Sequence, residues 1–221
     1  MKLLFSEFYP PVDLAESAVV TISIEDPVFL RTVILDIQSQ LEGNKGSCVI
    51  SDNGVPLEMA KNLELLSDVI PFSGNRKNLL NKVLTAVEKN GVENIEEIQK
   101  LLTSIESYLL SISEDWPLSF DIGKITPASL LKLAGAQIEM GGEYPLEDLL
   151  TYMDLVAELD REKVFCLLNL HCYFSVEELN TFFHDVALHK HRLLIFEGSE
   201  YLKADEEKKI VIDKDLCETI L

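Results

Sequence analysis

The chain has 221 residues, 47% of them hydrophobic, with 19 basic and 38 acidic residues and a formal net charge of −19. That much apolar material allows a sizeable core and excludes wholesale disorder, and no apolar run is long enough to cross a bilayer. Taken alone, the acidic balance argues against nucleic acid, because an anionic protein repels phosphate at long range.

The start, MKLLFSEFYPP, has a short apolar patch, but Glu7 and two prolines follow at once. It predicts an edge strand and a turn rather than a signal peptide. Ala18 to Ile24 is β-branched and apolar and predicts a strand. Asp26-Pro27 then opens a helix, with an acceptor at the cap and a proline in the first turn. Val28, Leu30, Val33, Ile34, Ile37 and Leu41 are its expected buried face, and Gly43 ends it. Cys48 to Ser51 and Val55 to Glu58 read as short strands around the turn signal Asp52-Asn53-Gly54.

From Asn75 to about Asp160 the pattern is helical. Leu79, Leu80, Val83, Leu84 and Val87 form one stripe, and Ile95, Ile98, Leu102, Ile105, Leu109 and Ile112 another. After Trp116-Pro117 come a shorter helix, Ser129 to Ala134, and a further one from Pro145 to Leu159. The α/β pattern returns at Lys163. VFCLLN (164–169) and RLLIFEG (192–198) are expected strands joined by a helix whose start, Ser175-Val-Glu-Glu178, is a capping-box signature, and IVID (210–213) can add another strand. Such a βαβ unit favours parallel pairing. The expected architecture is an α/β head made of residues 1–70 and 161–221, with an α-helical insertion over 71–160.

A phosphate loop requires GxxxxGK[ST] after a strand, so that backbone amides and a lysine surround the phosphates. The first strand–helix junction carries Glu25 and Asp26 instead, and Gly43-Asn44-Lys45-Gly46-Ser47 follows a helix in the wrong order. There is no GxSxG or HExxH. Cys48, Cys166, Cys172 and Cys217 form no CxxC pair, and Cys166 and Cys172, in an apolar stretch, read as structural thiols rather than zinc ligands. Reduced cysteines without an export signal point to the cytoplasm. His171 follows a strand and reads more simply as a hydrogen-bonded residue than as a ligand. His189-Lys190-His191-Arg192 is either a loop near phosphate or, more simply, a helix C-terminus whose dipole favours cations.

Charge is segregated along the chain. Residues 71–89 hold Arg76, Lys77, Lys82 and Lys89 against Glu88 alone, whereas residues 114–160 hold ten acids against Lys124 and Lys132. Glu114, Asp115 and Asp121 surround the Trp-Pro break, and Glu139 and Glu143 flank Gly141-Gly142. Hard cations such as calcium take several oxygen ligands on curling loops, although a solvated acidic face is the simpler reading of these residues alone.

The stretches ISIEDPVFLRTVIL, SFDIGKITPASLLKLAGAQIE and VFCLLNLHCYFSVEELNTFFHDVALHKHRLLIFEG resemble the Csn-two family of type II-A CRISPR systems. The resemblance spans nearly the whole chain in length and element order, through diffuse patterns rather than invariant signatures. It implies a degenerate P-loop ATPase-like head without ATPase activity, a mainly parallel sheet with helices, and a helical leg. It further implies a homotetrameric ring supported by calcium, with double-stranded DNA held by its ends in a positively lined hole. The implied role is spacer acquisition beside the integrase and the effector nuclease. Asp121 falls where the family places a calcium-binding carboxylate. An acid the family can carry in the short helix is Ser129 here, and an upstream one falls near Pro117, so Glu114, Asp115, Glu139 or Glu143 are expected to complete the cage. DNA contacts in the family form no motif, and charge distribution points to Arg76, Lys77, Lys82, Lys124 and Lys132. Two other readings are an acidic protein-interaction scaffold without nucleic acid and a nucleotide-binding switch on the degenerate core.

Overall fold

A computed structural model describes residues 1–5, 11–70, 72, 77–90, 95–113, 125–160 and 163–221. The chain divides into two compact units, one of residues 1–73 and 140–221 and one of residues 74–139.

The first unit is built on two sheets. The smaller is antiparallel and comprises β1 (Lys2–Leu4), β2 (Val12–Asp13), β4 (Val49–Asp52) and β5 (Val55–Leu57), in the order β2-β1-β4-β5. The N-terminal strand is therefore internal to its sheet rather than an edge, because β2, a two-residue strand with no signal of its own, covers its outer side. The β4–β5 hairpin turns at Asn53 and Gly54, whose φ angles of 48° and 79° are what a two-residue loop of this hand requires.

Among the described residues the larger sheet has six strands: β3 (Val19–Ile24), β6 (Leu63–Leu66), β7 (Val164–Leu168), β8 (Arg192–Glu197), β9 (Glu207–Ile212) and β10 (Glu218–Ile220). Their order across the sheet is β10-β9-β3-β8-β7-β6. All pair in parallel except β10, which runs antiparallel to β9. β3 lies between β9 and β8, and all six of its residues are buried. One face of the sheet, through Val20, Ile22, Ile24, Leu194, Phe196 and Ile210, joins the main core with Leu3 and Ile50 of the small sheet. Helix α1 (Pro27–Leu41) closes that core with Phe29, Val33 and Ile37. The buried stripe thus runs through Phe29 at four-residue spacing, and Val28, expected inside, is 56% exposed. A single-turn helix α2 (Met59–Asn62) leads into β6, and α7 (Val176–Leu188) packs near β3 and β8.

The second unit contains α3 (Lys77–Asn90), α4 (Ile95–Ser113) and α5 (Pro127–Leu133), and α3 contacts α5. α5 begins with a capping box in which Thr126 and Ser129 satisfy each other's backbone amides. Leu79 and Leu84 of the predicted α3 stripe are buried.

The helical insertion ends earlier than residue 160. Helix α6 (Pro145–Leu159) belongs to the first unit, where Leu149, Tyr152, Met153 and Val156 are buried. The reason is topological: β6 and β7 are adjacent parallel strands, and such a pair needs a crossover element packed back on the sheet. α6 is the returning arm of that crossover. Its Tyr152 hydroxyl donates to Glu64 of β6, and Lys163, just past α6, bridges Glu64 at 3.1 Å and Asp160 at 3.2 Å.

Candidate functional site

In an open parallel sheet, ligands settle outside the carboxyl ends of the strands, and a nucleotide phosphate sits on the amides of the following helix. Here the first turn of α1 is filled from within. Asp26 is the N-cap, and its carboxylate accepts the Phe29 N–H at 2.6 Å. Pro27 removes another amide that a phosphate would need. The Glu25 N–H donates to the Ile212 carbonyl at 2.9 Å. A second negative charge at this helix start would meet a carboxylate rather than open donors. The Gly43–Ser47 segment is also committed elsewhere: Asp36 of α1 accepts the Ser47 N–H at 3.1 Å and the Cys48 N–H at 2.8 Å. Burial would raise the Asp36 carboxyl, but these bonds outweigh it and hold the group below the usual carboxylate range.

Behind β8 lies a buried polar network that local pattern did not disclose. A left-handed residue, Asn169 (φ 53°), ends β7, and its side chain accepts the Gly198 N–H at 3.3 Å. His171 follows in a short 3-10 turn. Its Nδ1 lies 2.9 Å from Glu197 of β8 and its Nε2 3.3 Å from Glu207 of β9. The His171 N–H also donates to Glu197, while Glu207 accepts from Thr21 at 2.5 Å and from the Ala204 N–H at 2.9 Å. Both ring nitrogens face carboxylates, which suits an imidazolium donating twice. Burial works against its charge, but the two glutamates prevail and raise the His171 pKa to about 9. Glu207 is likewise pushed up by burial and brought below its ordinary value by His171, Thr21 and Ala204. The ring stacks on Tyr201 with centroids 5.8 Å apart, and its side chain is 3% exposed. A histidine so enclosed cements three strands; it does not present a base to solvent. Ser23 and Glu197 occupy paired positions on β3 and β8, and Ser23 Oγ and Glu197 Oε2 are buried without a hydrogen-bond partner among the described residues.

The cysteines divide in two. Cys48 and Cys166 are buried, and burial raises both thiols, Cys48 to about 12. Cys172, expected in the apolar interior, is exposed, because the 3-10 turn after β7 carries it out of the sheet; its thiol donates to the Asn169 carbonyl at 2.9 Å.

Of the basic candidates, Lys82 stands on α3 and is partly buried, and Lys132 stands exposed in the last turn of α5. Lys77 is the first residue of α3. Arg76 and Lys124 lie outside the described residues. So do Glu114, Asp115 and Asp121 of the acidic candidates. Glu139 is exposed at the end of the helical unit. Glu143, also exposed, belongs to the sheet-containing unit just ahead of α6, where its N–H donates to Glu147 at 3.0 Å and the Gly142 N–H donates to Asp148 at 2.9 Å. Those carboxylates tie the preceding loop to the first turn of α6. No helix among the described residues is long and apolar enough to cross a membrane.

Residues 40–216 match the family described as CRISPR-associated protein (Cas_Csn2). The fold is similar to the crystal structure of Stu0660 of Streptococcus thermophilus, with a TM-score of 0.60 and 13% sequence identity, over 100% of this chain and 76% of that one. No curated protein matches the sequence.

Proposed function

The chain belongs to the Cas_Csn2 family of CRISPR-associated proteins, and from that premise we propose that it is a non-enzymatic protein that binds double-stranded DNA by its ends during spacer acquisition. The observation that carries the non-enzymatic part is the Asp26 cap: the helix start that would hold a nucleotide phosphate is neutralised by the chain's own carboxylate. The α/β architecture then serves as scaffold, and anion binding falls to lysines and arginines elsewhere. Arg76, Lys77, Lys82, Lys124 and Lys132 are the proposed phosphate contacts. Binding through phosphates alone is independent of sequence and steeply dependent on salt.

The working assembly in this reading is a homotetrameric ring. Cations lining a hole act together on phosphate, which reconciles local DNA binding with the overall charge of −19. The exposed Leu101, Tyr108, Leu110 and Ile112 of α4 support self-association, since a helix with that much apolar surface is normally covered. Calcium, held by Asp121 with Glu114, Asp115, Glu139 or Glu143, would neutralise clustered acids and fasten the subunits. The integrase and the effector nuclease of the same system are the proposed protein partners.

The deciding experiment compares linear and closed circular duplex in gel shifts at low salt with millimolar-range calcium, beside sedimentation with and without the ion. Retention of linear duplex with calcium-dependent assembly is the expected result. Failure of both duplexes to bind would leave the acidic-scaffold reading in its place.

A further inference from the structure

Three side chains of the sheet-containing unit, none of them among the DNA or calcium candidates, converge on one another. Asp154 projects from α6, and His189 and His191 flank the end of α7. The turn that places them is a Schellman-type close: the Lys190 N–H donates to the Ala187 carbonyl and the His191 N–H to the Val186 carbonyl, each at 3.0 Å. Such a close requires a left-handed residue, and Lys190 supplies it with φ 62°. The reversal at Lys190 lets two histidines one residue apart face the same carboxylate. His189 Nδ1 lies 2.9 Å from Asp154 Oδ1, and His191 Nε2 lies 2.7 Å from the same oxygen. All three donor atoms fall within 4.8 Å of one another.

We propose that Asp154, His189 and His191 form a binding site for a divalent transition metal, with zinc as the expected ion. Two imidazole nitrogens and one carboxylate oxygen are the donor set of zinc sites that keep a fourth position for water. Calcium, which prefers six or more oxygens, is poorly served by imidazole. In a tetrahedral zinc shell neighbouring donors stand about 3.3 Å apart, so the two Asp154–histidine contacts need open by only about half an ångström, while the two imidazole donors lie within 4.8 Å of each other. The Asp154 and His189 side chains are 44% and 39% exposed, giving an ion a path from solvent. The His191 side chain is 7% exposed and its ring packs edge-on against Phe165 of β7, which fixes its direction. An ion here would tie α6 to the α7–β8 corner.

The test is zinc titration of the 221-residue chain after chelator treatment, followed by calorimetry, with cobalt(II) as a coloured probe of coordination and thermal unfolding as a second readout. One zinc per chain and a rise in Tm are expected. Exposed His189 can be changed without disturbing the core, so His189→Gln is the first variant and Asp154→Asn the second; each should weaken zinc at least tenfold. His184→Gln, at an exposed pair with Glu206 elsewhere on α7, should leave the titration unchanged. Equal zinc binding by wild type and His189→Gln overturns the proposal, as does a calcium titration that depends on His189.

Discussion

The carboxylate of Asp26 accepts the backbone N–H of Phe29 at 2.6 Å, so the first helix of the parallel sheet carries its own anion. An acceptor at this position satisfies one of the orphan amides of the helix and complements its dipole. Replacing it removes that bond at a core residue. Asp26→Ala should therefore lower stability by about 1 kcal/mol in urea denaturation. ATP should leave the Tm of the wild-type chain unchanged. A dose-dependent rise would restore the nucleotide-switch reading.

His171 makes stability depend on pH. Its folded value is about 9 against an ordinary 6.5, so its contribution is complete below about 6.5 and is lost as pH rises through 9. The difference corresponds to about 3 kcal/mol. The lowering of Glu207 is the same interaction felt by its partner and is not added to it. Denaturation of wild type and His171→Gln at pH 6 and at pH 9.5 checks this. The stability gap between the two proteins should narrow by about that amount at the higher pH, and an unaltered gap contradicts it.

Simultaneous neutralisation of Arg76, Lys77 and Lys82 should reduce affinity for every duplex sequence alike. Each lost phosphate contact removes about 0.9 from the slope of log affinity against log salt. Fluorescence anisotropy across a salt series measures both. An unchanged slope would place these residues off the DNA path.

Asp121→Ala should weaken calcium binding and loosen the assembly. Calorimetric titration reads the first effect and sedimentation with and without calcium the second. Both remaining at wild-type values would remove Asp121 from the cage.

Features encoded within a few residues were legible in the chain itself. The Asp26-Pro27 and Ser175–Glu178 helix starts, the Asp52-Asn53-Gly54 turn and the apolar runs of β3, β7 and β8 depend on local sterics and on hydrogen bonds between near neighbours. The absence of a phosphate-loop pattern was equally plain, because that motif is also local. What required the tertiary structure was whatever depends on partners distant in sequence. Leu63–Leu66 is too short and mixed to announce a strand and becomes β6 only through pairing with β7. α6 carries the same amphipathic signal as the insertion before it, yet it belongs to the sheet-containing unit, where Tyr152 reaches Glu64 of β6. His171 meets Glu197 and Glu207, and Asp154 meets His189 and His191, across separations of 26 to 37 residues. Periodicity says which face of an element is buried. Which charges share that burial is decided by strand order and by the angle of a single turn, and these exist only once the sheet has formed.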